Sequence, residues 1–200
     1  MVHHKYIGIL LAGGKSSRYG SPKAFAKLDG KMFYEIAYEH LKKICDHVII
    51  VTRKEFIEKF PKDYHVITDL DAFSGCGPLA GIYSAMTAAE ADHYVVLPCD
   101  MPLLNHFILQ QLLNRHVKDV AVVVSEGYLQ PLVSVWDRKV KSIARIFLES
   151  GQFKMTSLLD HLNVVPVDGN ILAPSSYVFM NINTLEEDKE MRKWKESQIN

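Results

Sequence analysis

The sequence predicts an α/β protein, a Rossmann-like three-layer α/β/α sandwich with a mostly parallel central sheet. The order of its apolar segments carries this prediction. Short apolar runs rich in β-branched residues alternate with longer segments of helical spacing, and this alternation is typical of parallel strands covered by helices on both faces. The 200 residues, 48% of them hydrophobic, are enough for one sizeable core, so we predict a single domain over residues 1–200.

The predicted strands are apolar on both faces, as expected for strands buried between two helical layers. They are YIGILL (6–11), HVIIVT (47–52), HVIT (65–68), YVVLPC (94–99) and DVAVVVS (119–125). After residue 125 the pattern changes, and YLQPLVSVW (128–136) is predicted to be an extended stretch. After these, KMTSLLDHL (154–162), NVVPV (163–167) and YVFMNIN (177–183) are expected to complete the sheet.

The predicted helices show an apolar stripe or a recognisable start. Segment 32–44 carries apolar residues at helical spacing opposite Lys and Glu. Segment 78–91 begins with Pro78, a favoured first helical residue, and segment 106–116 follows Asn105, a plausible N-cap. A further helix is expected over 138–150, and a polar C-terminal helix from about residue 185.

The composition excludes several classes of protein. The 23 basic and 23 acidic side chains cancel, which argues against sequence-independent nucleic-acid binding because that needs a basic excess. No apolar stretch approaches the roughly 20 residues of a membrane span, so no membrane association is expected. Cys45, Cys76 and Cys99 share no metal-ligand spacing. Small buried thiols in a reducing cytoplasm are therefore predicted.

A glycine pair and three cations follow the first strand, in LLAGGKSSRYGSPK (10–23). Gly13 and Gly14 leave room for backbone N–H groups to approach an anion. Arg18 offers a planar fork for phosphate oxygens and Lys23 a compact charge, while Lys15, Ser16 and Ser17 add further donors. The alternative from the residues alone is an ordinary strand-exit turn with solvated cations.

Two well-known phosphate loops do not fit this segment. A Walker A motif would need a glycine at position 9, where Ile9 stands. A dinucleotide fingerprint needs G-x-G-x-x-G, which the adjacent glycines do not match. Further glycines in FSGCGPLAGIYSA (73–85) surround a predicted helix start that could admit a base or a phosphate.

Two aspartates directly follow predicted strands. Asp100 lies in LPCDMP and Asp69 in VITD, so both are expected at the carboxyl edge of the sheet, where ligands bind in such folds. Mg²⁺ bound to a triphosphate needs only one or two protein carboxylates, and Asp100 is the better candidate. The alternative is that both aspartates cap the helices that follow.

Together, LAGGKSSRYGSPK, GPLAGIYSA, PCDMP and NIN resemble the molybdenum cofactor guanylyltransferases, within the wider nucleotidyltransferase superfamily. The likeness extends from residue 11 to about residue 188. The resemblance implies transfer of GMP from Mg-GTP to the phosphate of molybdopterin, with release of pyrophosphate. It also implies Mg²⁺ as cofactor and GTP and molybdopterin as partners, with transient contacts to other molybdenum cofactor biosynthesis proteins and to apo-molybdoenzymes.

The resemblance assigns roles residue by residue. Arg18, Lys23 and Asp100 would be catalytic, with Asp100 also the Mg²⁺ ligand. Lys154, Asn181 and Asn183 would lie near the pterin. The nucleotide would be bound by Leu11, Ala12, Gly13, Gly14, Lys23, Asp69 and Asp100.

Two positions depart from the family pattern. Tyr19 stands where the family usually has Met, and Leu185 where Pro is common; neither is expected to touch the chemistry. The residues leave open a cytidylyltransferase for the same cofactor, a sugar-phosphate nucleotidylyltransferase, or a non-catalytic cofactor carrier.

Overall fold

A computed structural model describes residues 4–14, 16 and 18–198. Lys15 and Ser17, two of the groups predicted for the loop, lie outside the described residues. The strands are β1 Tyr6–Leu11, β2 Lys27–Leu28, β3 Lys31–Met32, β4 His47–Val51, β5 His65–Ile67, β6 His93–Pro98, β7 Val120–Ser125, β8 Tyr128–Asp137 and β9 Val164–Asp168. The α-helices are α1 Phe33–Lys42, α2 Pro78–Ala88, α3 His106–Leu113, α4 Val140–Glu149, α5 Met155–Leu159, α6 Gly169–Leu172 and α7 Leu185–Ser197.

Seven strands form one sheet in the order β5-β4-β1-β6-β8-β7-β9. Strand β8 runs antiparallel to both of its neighbours, and all other neighbouring strands are parallel. The predicted fold class, an α/β protein with a mostly parallel central sheet, is confirmed. Strands β2 and β3 form a separate two-stranded hairpin that the sequence did not reveal.

The core consists of two apolar clusters, one on each face of the sheet. Within β1, Leu10 belongs to one cluster, whereas Ile7 and Ile9 belong to the other, as the two-residue period of a strand requires. Helices α1, α3 and α6 contribute to the first cluster, and α2, α4 and α5 to the second. The predicted three layers follow from this double-sided burial.

Two helix starts agree with their predicted signals. Helix α2 begins at Pro78. The side chain of Asn105 accepts hydrogen bonds from the backbone N–H groups of Phe107 and Ile108 at the start of α3. These contacts satisfy donors that have no partner within the first helical turn.

The predicted completion of the sheet is wrong in two of its three segments. Segment 154–162 contains helix α5, because Met155, Leu158 and Leu159 repeat at helical spacing and are buried on one face. Segment 177–183 belongs to no strand, since residues 176–179 form a 3-10 helix and an irregular stretch follows. Only the expected strand at 163–167 forms, as β9 beside β7.

Helix α7 packs beside the β2–β3 hairpin through a third, smaller cluster, in which Tyr19, Leu28, Phe33, Ile182 and Met191 are buried. The helix begins with a capping box: the Glu187 N–H donates to the Thr184 hydroxyl and the Thr184 N–H to the Glu187 carboxylate. Such reciprocal bonds fix the first turn of a helix. The entry into α7 is thereby held in place.

All three cysteines are free thiols. Cys99 is buried, as predicted, whereas Cys45 and Cys76 are half-buried. Burial raises the pKa of Cys45 to about 12 and also raises that of Cys99, so neither thiol forms a thiolate readily at neutral pH. Within the described part of the chain, no helix has the length and apolar character to cross a membrane.

We predict that Gly169→Ala destabilises the fold. An added Cβ would lie 2.8 Å from Phe179 Cε2 and 2.9 Å from the Val124 carbonyl oxygen, and the latter is backbone that cannot rotate away. Overpacking of this kind costs about 1–3 kcal/mol, which denaturant titration would measure. Gly14→Ala is the matched control, because a Cβ there meets nothing within 4 Å; equal stability of the two variants would contradict the prediction.

Candidate active site

A cavity of about 750 Å³ opens at the carboxyl edge of the parallel strands. Strands β4, β1 and β6 end there together, because Leu11 pairs with both Val51 and Pro98. The loops that follow these strands line the cavity, together with the segment after β5 and the start of α2. This is the place where the topology of an open α/β sheet predicts a ligand.

The structure brings together all the predicted site residues except one. Lys154 does not line the cavity; it is exposed and precedes the first residue of α5. The predicted residues that do line it are Leu11, Ala12, Gly13, Gly14, Arg18, Lys23, Asp69, Asp100, Asn181 and Asn183.

Lys23 forms the polar centre of the site. Its Nζ donates to Asp100 Oδ2 over 2.6 Å and to Asn183 Oδ1 over 2.8 Å. The residue is 8% exposed, so the ion pair is shielded from solvent on most sides and is stronger than a surface pair. Its backbone N–H donates to Ser16 Oγ over 3.0 Å, which ties the lysine back to the beginning of the loop.

Asp100 keeps one carboxylate oxygen without a partner. Oδ2 accepts from Lys23, whereas Oδ1 is buried and, among the described residues, accepts no hydrogen bond. A buried carboxylate oxygen without a donor is costly. An incoming donor or cation would therefore gain more at Oδ1 than at a solvated carboxylate.

The segment before α7 reaches the site by an unexpected route. The Ile182 N–H donates to the carbonyl oxygen of Asp100 over 2.8 Å, which places Asn181 and Asn183 at the cavity. The segment 177–183 was expected to join the sheet, but the residues around Asn181 and Asn183 are irregular. Asn183 instead contacts Lys23, so it belongs to the ion-pair cluster.

The exit of β1 is fixed against β4. The Ala12 N–H donates to the Val51 carbonyl oxygen over 2.8 Å, and the Thr52 hydroxyl donates to the Ala12 carbonyl oxygen over 3.2 Å. An added Cβ on Gly13 would lie 3.5 Å from the backbone of Thr52. The chain therefore leaves β1 in close contact with the neighbouring strand.

Asp69 lies at the other end of the cavity, after β5. Its Oδ2 accepts from the Gly75 N–H over 3.2 Å, and burial raises the pKa of Asp69 above its usual value despite that bond. Gly81 on α2 packs closely against the ends of β1 and β4, since an added Cβ would lie 3.1 Å from Leu11 Cδ2 and 3.2 Å from Val51 Cγ1.

Cations and carboxylates both line the cavity. Arg18 is exposed and, within the described residues, has no ion-pair partner, so its guanidinium is available to an anion. Arg53 Nη2 lies 2.9 Å from Glu55 Oε1, which partly neutralises that pair. Among the described residues, two cations that line the cavity, Arg18 and Lys54, therefore have no carboxylate within ion-pair distance.

Sequence reasoning missed the residues after β4. Thr52, Arg53, Lys54 and Glu55 all line the cavity, although none belongs to a recognisable motif. The signal that could have found them is topological: in a parallel sheet, every strand exit next to the glycine loop contributes to the same edge. Leu132 was missed as well, because β8 is antiparallel and brings its beginning to this edge.

The chain is similar to known proteins over nearly its whole length. The MobA-like NTP transferase domain matches residues 8–165. A probable molybdenum cofactor guanylyltransferase of Bacillus subtilis is 35% identical over 187 residues, 92% of each chain. One of the same name from a Geobacillus species is 37% identical over 188 residues, 92% of this chain and 96% of the relative.

The fold is also found in a solved structure. Molybdopterin-guanine dinucleotide biosynthesis protein A from Archaeoglobus fulgidus superposes with a TM-score of 0.80, covering 96% of this chain and 99% of that chain. The two sequences are 23% identical, so this likeness bears on the fold alone.

The sheet, the glycine loop and the partly buried lysine–aspartate pair suit an enzyme of the nucleotidyltransferase class, and the family model and the relatives show that class, as predicted. The family match and the two relatives above 30% identity show to which family of nucleotidyltransferases the chain belongs. The chain belongs to the family of MobA-like NTP transferases, and the resemblance predicted from its motifs is confirmed.

We predict that Asn183→Ala weakens nucleotide binding as well as any pterin contact. The substitution removes an acceptor of the Lys23 ammonium, and an incompletely paired buried charge is costly. Calorimetric titration with GTP should show a loss of about tenfold. Asn170→Ala, outside the cavity lining, is the control; unchanged GTP affinity in a stable Asn183→Ala protein would show that the contact does not support binding.

Proposed function

We propose that the protein transfers GMP from GTP to the phosphate of molybdopterin, forming the guanine dinucleotide form of the molybdenum cofactor. The observation that carries this proposal is the partly buried contact between Lys23 and Asp100, 2.6 Å long, at the exit of the glycine loop. The relatives at 35% and 37% identity are named probable molybdenum cofactor guanylyltransferases, which supports a guanylyl group as the group transferred and the molybdenum cofactor as its acceptor.

The protein itself forms no covalent bond in this reaction. A phosphate oxygen of molybdopterin attacks the α-phosphorus of GTP; a new P–O bond forms, and the bond to the β-phosphate oxygen breaks with release of pyrophosphate. The nucleophile is already an anion, so no general base is required. The protein's tasks are alignment of the two phosphates and stabilisation of charge, which suit Arg18 and Lys23.

The residues fit a divalent cation held mainly by its substrate. Among the residues that the structure describes, no group of three or more His, Cys, Asp or Glu side chains could form a closed metal site. Mg²⁺ needs only one or two carboxylates when phosphates supply other oxygens, and Asp100 Oδ1 is such a buried oxygen without a partner. Mg²⁺, when bound there, would neutralise charge on the phosphate oxygens.

The two substrates are expected to meet at the Lys23–Asp100 pair. The backbone of Leu11, Ala12, Gly13 and Gly14 would bind the nucleotide, with Asp69 at the far end of the cavity. The pterin would lie on the side of Asn181 and Asn183. Lys154 does not line the cavity. It would contact the pterin only if that substrate extends beyond the cavity.

The wider setting is also part of the proposal. We propose one domain over residues 1–200, since seven strands between residue 6 and residue 168 join one sheet. Three free thiols support a reducing cytoplasm. Transient contact with other proteins of cofactor biosynthesis and with apo-molybdoenzymes would deliver one substrate and remove the product.

The nucleotide specificity is tested by turnover. Purified protein with Mg²⁺ and molybdopterin should release pyrophosphate with GTP and far less with CTP. Faster turnover with CTP would identify a cytidylyltransferase, and turnover with a sugar phosphate in place of molybdopterin would identify a sugar-phosphate nucleotidylyltransferase. Binding of the finished cofactor without turnover would identify a carrier.

Asp100→Asn should lower turnover by at least ~10²-fold, because the amide has the shape of the carboxylate without its charge and the loss of one preorganised group is of this size. Initial rates at several Mg²⁺ concentrations would measure it. Asp137→Asn is the control, since Asp137 ends β8 at the opposite edge of the sheet. Near-normal transfer by Asp100→Asn at ordinary Mg²⁺ would remove Asp100 from the metal site.

Lys23→Ala should lower kcat/KM for GTP by ~10²-fold or more, since one charged donor aimed at the triphosphate is lost. Steady-state kinetics with GTP as the varied substrate is the measurement. Lys27→Ala, an exposed lysine four residues further on, is the control. If kcat/KM for Lys23→Ala equals that of the control, Lys23 has only a structural role.

A further inference from the structure

Helix α7 contacts the loop after β1 at two separate points. At one, Asn183, which precedes the helix, accepts from Lys23. At the other, the Tyr19 hydroxyl donates to Asp188 Oδ2 over 3.2 Å. Asn183 and Asp188 flank the capping box of the same helix, so one rigid element holds both ends of the cationic segment between residues 18 and 23.

Tyr19 is well placed to act on its neighbour. Its side chain is buried beneath the loop, in the cluster with Phe33, Ile182 and Met191, whereas Arg18 faces the cavity. Adjacent residues share a peptide plane, so fixing the Tyr19 backbone also limits the positions that the Arg18 guanidinium can reach.

The acceptor of this hydrogen bond is itself held firmly. Arg192 binds both oxygens of Asp188, with Nε 3.1 Å from Oδ1 and Nη2 3.2 Å from Oδ2. The same guanidinium donates to the Lys27 carbonyl oxygen in the β2–β3 hairpin. Burial and the Asp188 carboxylate raise the pKa of Tyr19 above its ordinary value, so the phenol stays protonated and remains a donor at neutral pH.

We propose that Tyr19 is a positioning residue of the transferase site: its hydrogen bond to Asp188 holds the loop on α7 and sets Arg18 for contact with the triphosphate. Tyr19 acts through the position of Arg18 and does not itself line the cavity. The inference rests on the proposed role of Arg18 in nucleotide binding. Tyr19 and helix α7 are thereby added to the site, although both lie apart from the phosphate-binding groups.

The test compares two phenol–carboxylate hydrogen bonds on the same helix. Tyr19→Phe removes the bond to Asp188 and keeps the buried ring. Tyr177→Phe is the matched control, because the Tyr177 hydroxyl donates to Glu190 of α7 over 2.9 Å and Tyr177 does not line the cavity. Calorimetric titration with Mg-GTP and a thermal melt are measured for both variants.

We expect Tyr19→Phe to weaken GTP binding about tenfold, within the 10²-fold cost of a misplaced group, and Tyr177→Phe to leave it unchanged. In an Arg18→Ala background the effect of Tyr19→Phe should shrink to less than twofold, because Tyr19 acts through Arg18. A lower melting temperature for Tyr19→Phe with wild-type GTP affinity would overturn the proposal. So would a full tenfold loss in the Arg18→Ala background.

The same titration separates this inference from the proposed function. If the wild-type protein binds CTP and not GTP, guanylyl transfer is overturned. The comparison of Tyr19→Phe with Tyr177→Phe is then made with Mg-CTP, because Arg18 contacts the triphosphate whatever the base. Equal CTP affinities for the two variants would overturn the role of Tyr19.

Discussion

The alignment of three parallel strands is the constraint on which the site depends. Leu11 at the end of β1 is paired with Val51 on one side and Pro98 on the other, so β4, β1 and β6 end at the same level. Neighbouring strands lie about 4.8 Å apart, which brings the exits of β1 and β6 close enough for Lys23 to reach Asp100. If either pairing shifted by one residue, the side chains of the shifted strand would point to the opposite face of the sheet. Lys23 and Asp100 would then be separated.

The Lys23–Asp100 pair in turn organises the polar part of the cavity. A buried charge is tolerated when it is paired and hydrogen-bonded, and Lys23 meets this condition through Asp100 and Asn183. Asp100 is only half satisfied, because Oδ1 is buried without a partner among the described residues. The missing hydrogen bond at Oδ1 is unfavourable for the ligand-free protein. It favours binding, because a group that contacts Oδ1 removes this free-energy penalty. Such unsatisfied positions are expected at functional sites.

The fold and the site differed in how far the sequence predicted them. Strands such as β1 and β4 were predictable because both of their faces are buried, which imposes continuous apolar runs. Segment 177–183 was mispredicted because its β-branched and aromatic residues satisfy strand propensity, but its backbone is held by the hydrogen bond from Ile182 to Asp100 instead of a strand ladder. The residues after β4 were missed because they gain their role from the position of β4 beside β1, which no local pattern encodes.

The cavity is completed by a C-terminal segment that lies beyond the residues matched by the family domain. The matched family domain ends at residue 165, yet Asn183 contacts the lysine of the glycine loop and Asp188 contacts Tyr19. Two adjacent glycines give the loop little rigidity of its own at that point, because glycine widens the range of backbone conformations. Contacts from outside the loop therefore add to its order, and Asn183 and Asp188, on either side of the α7 capping box, supply two of them. Substitutions in α7 that keep the helix but alter these contacts should change nucleotide binding without changing the fold.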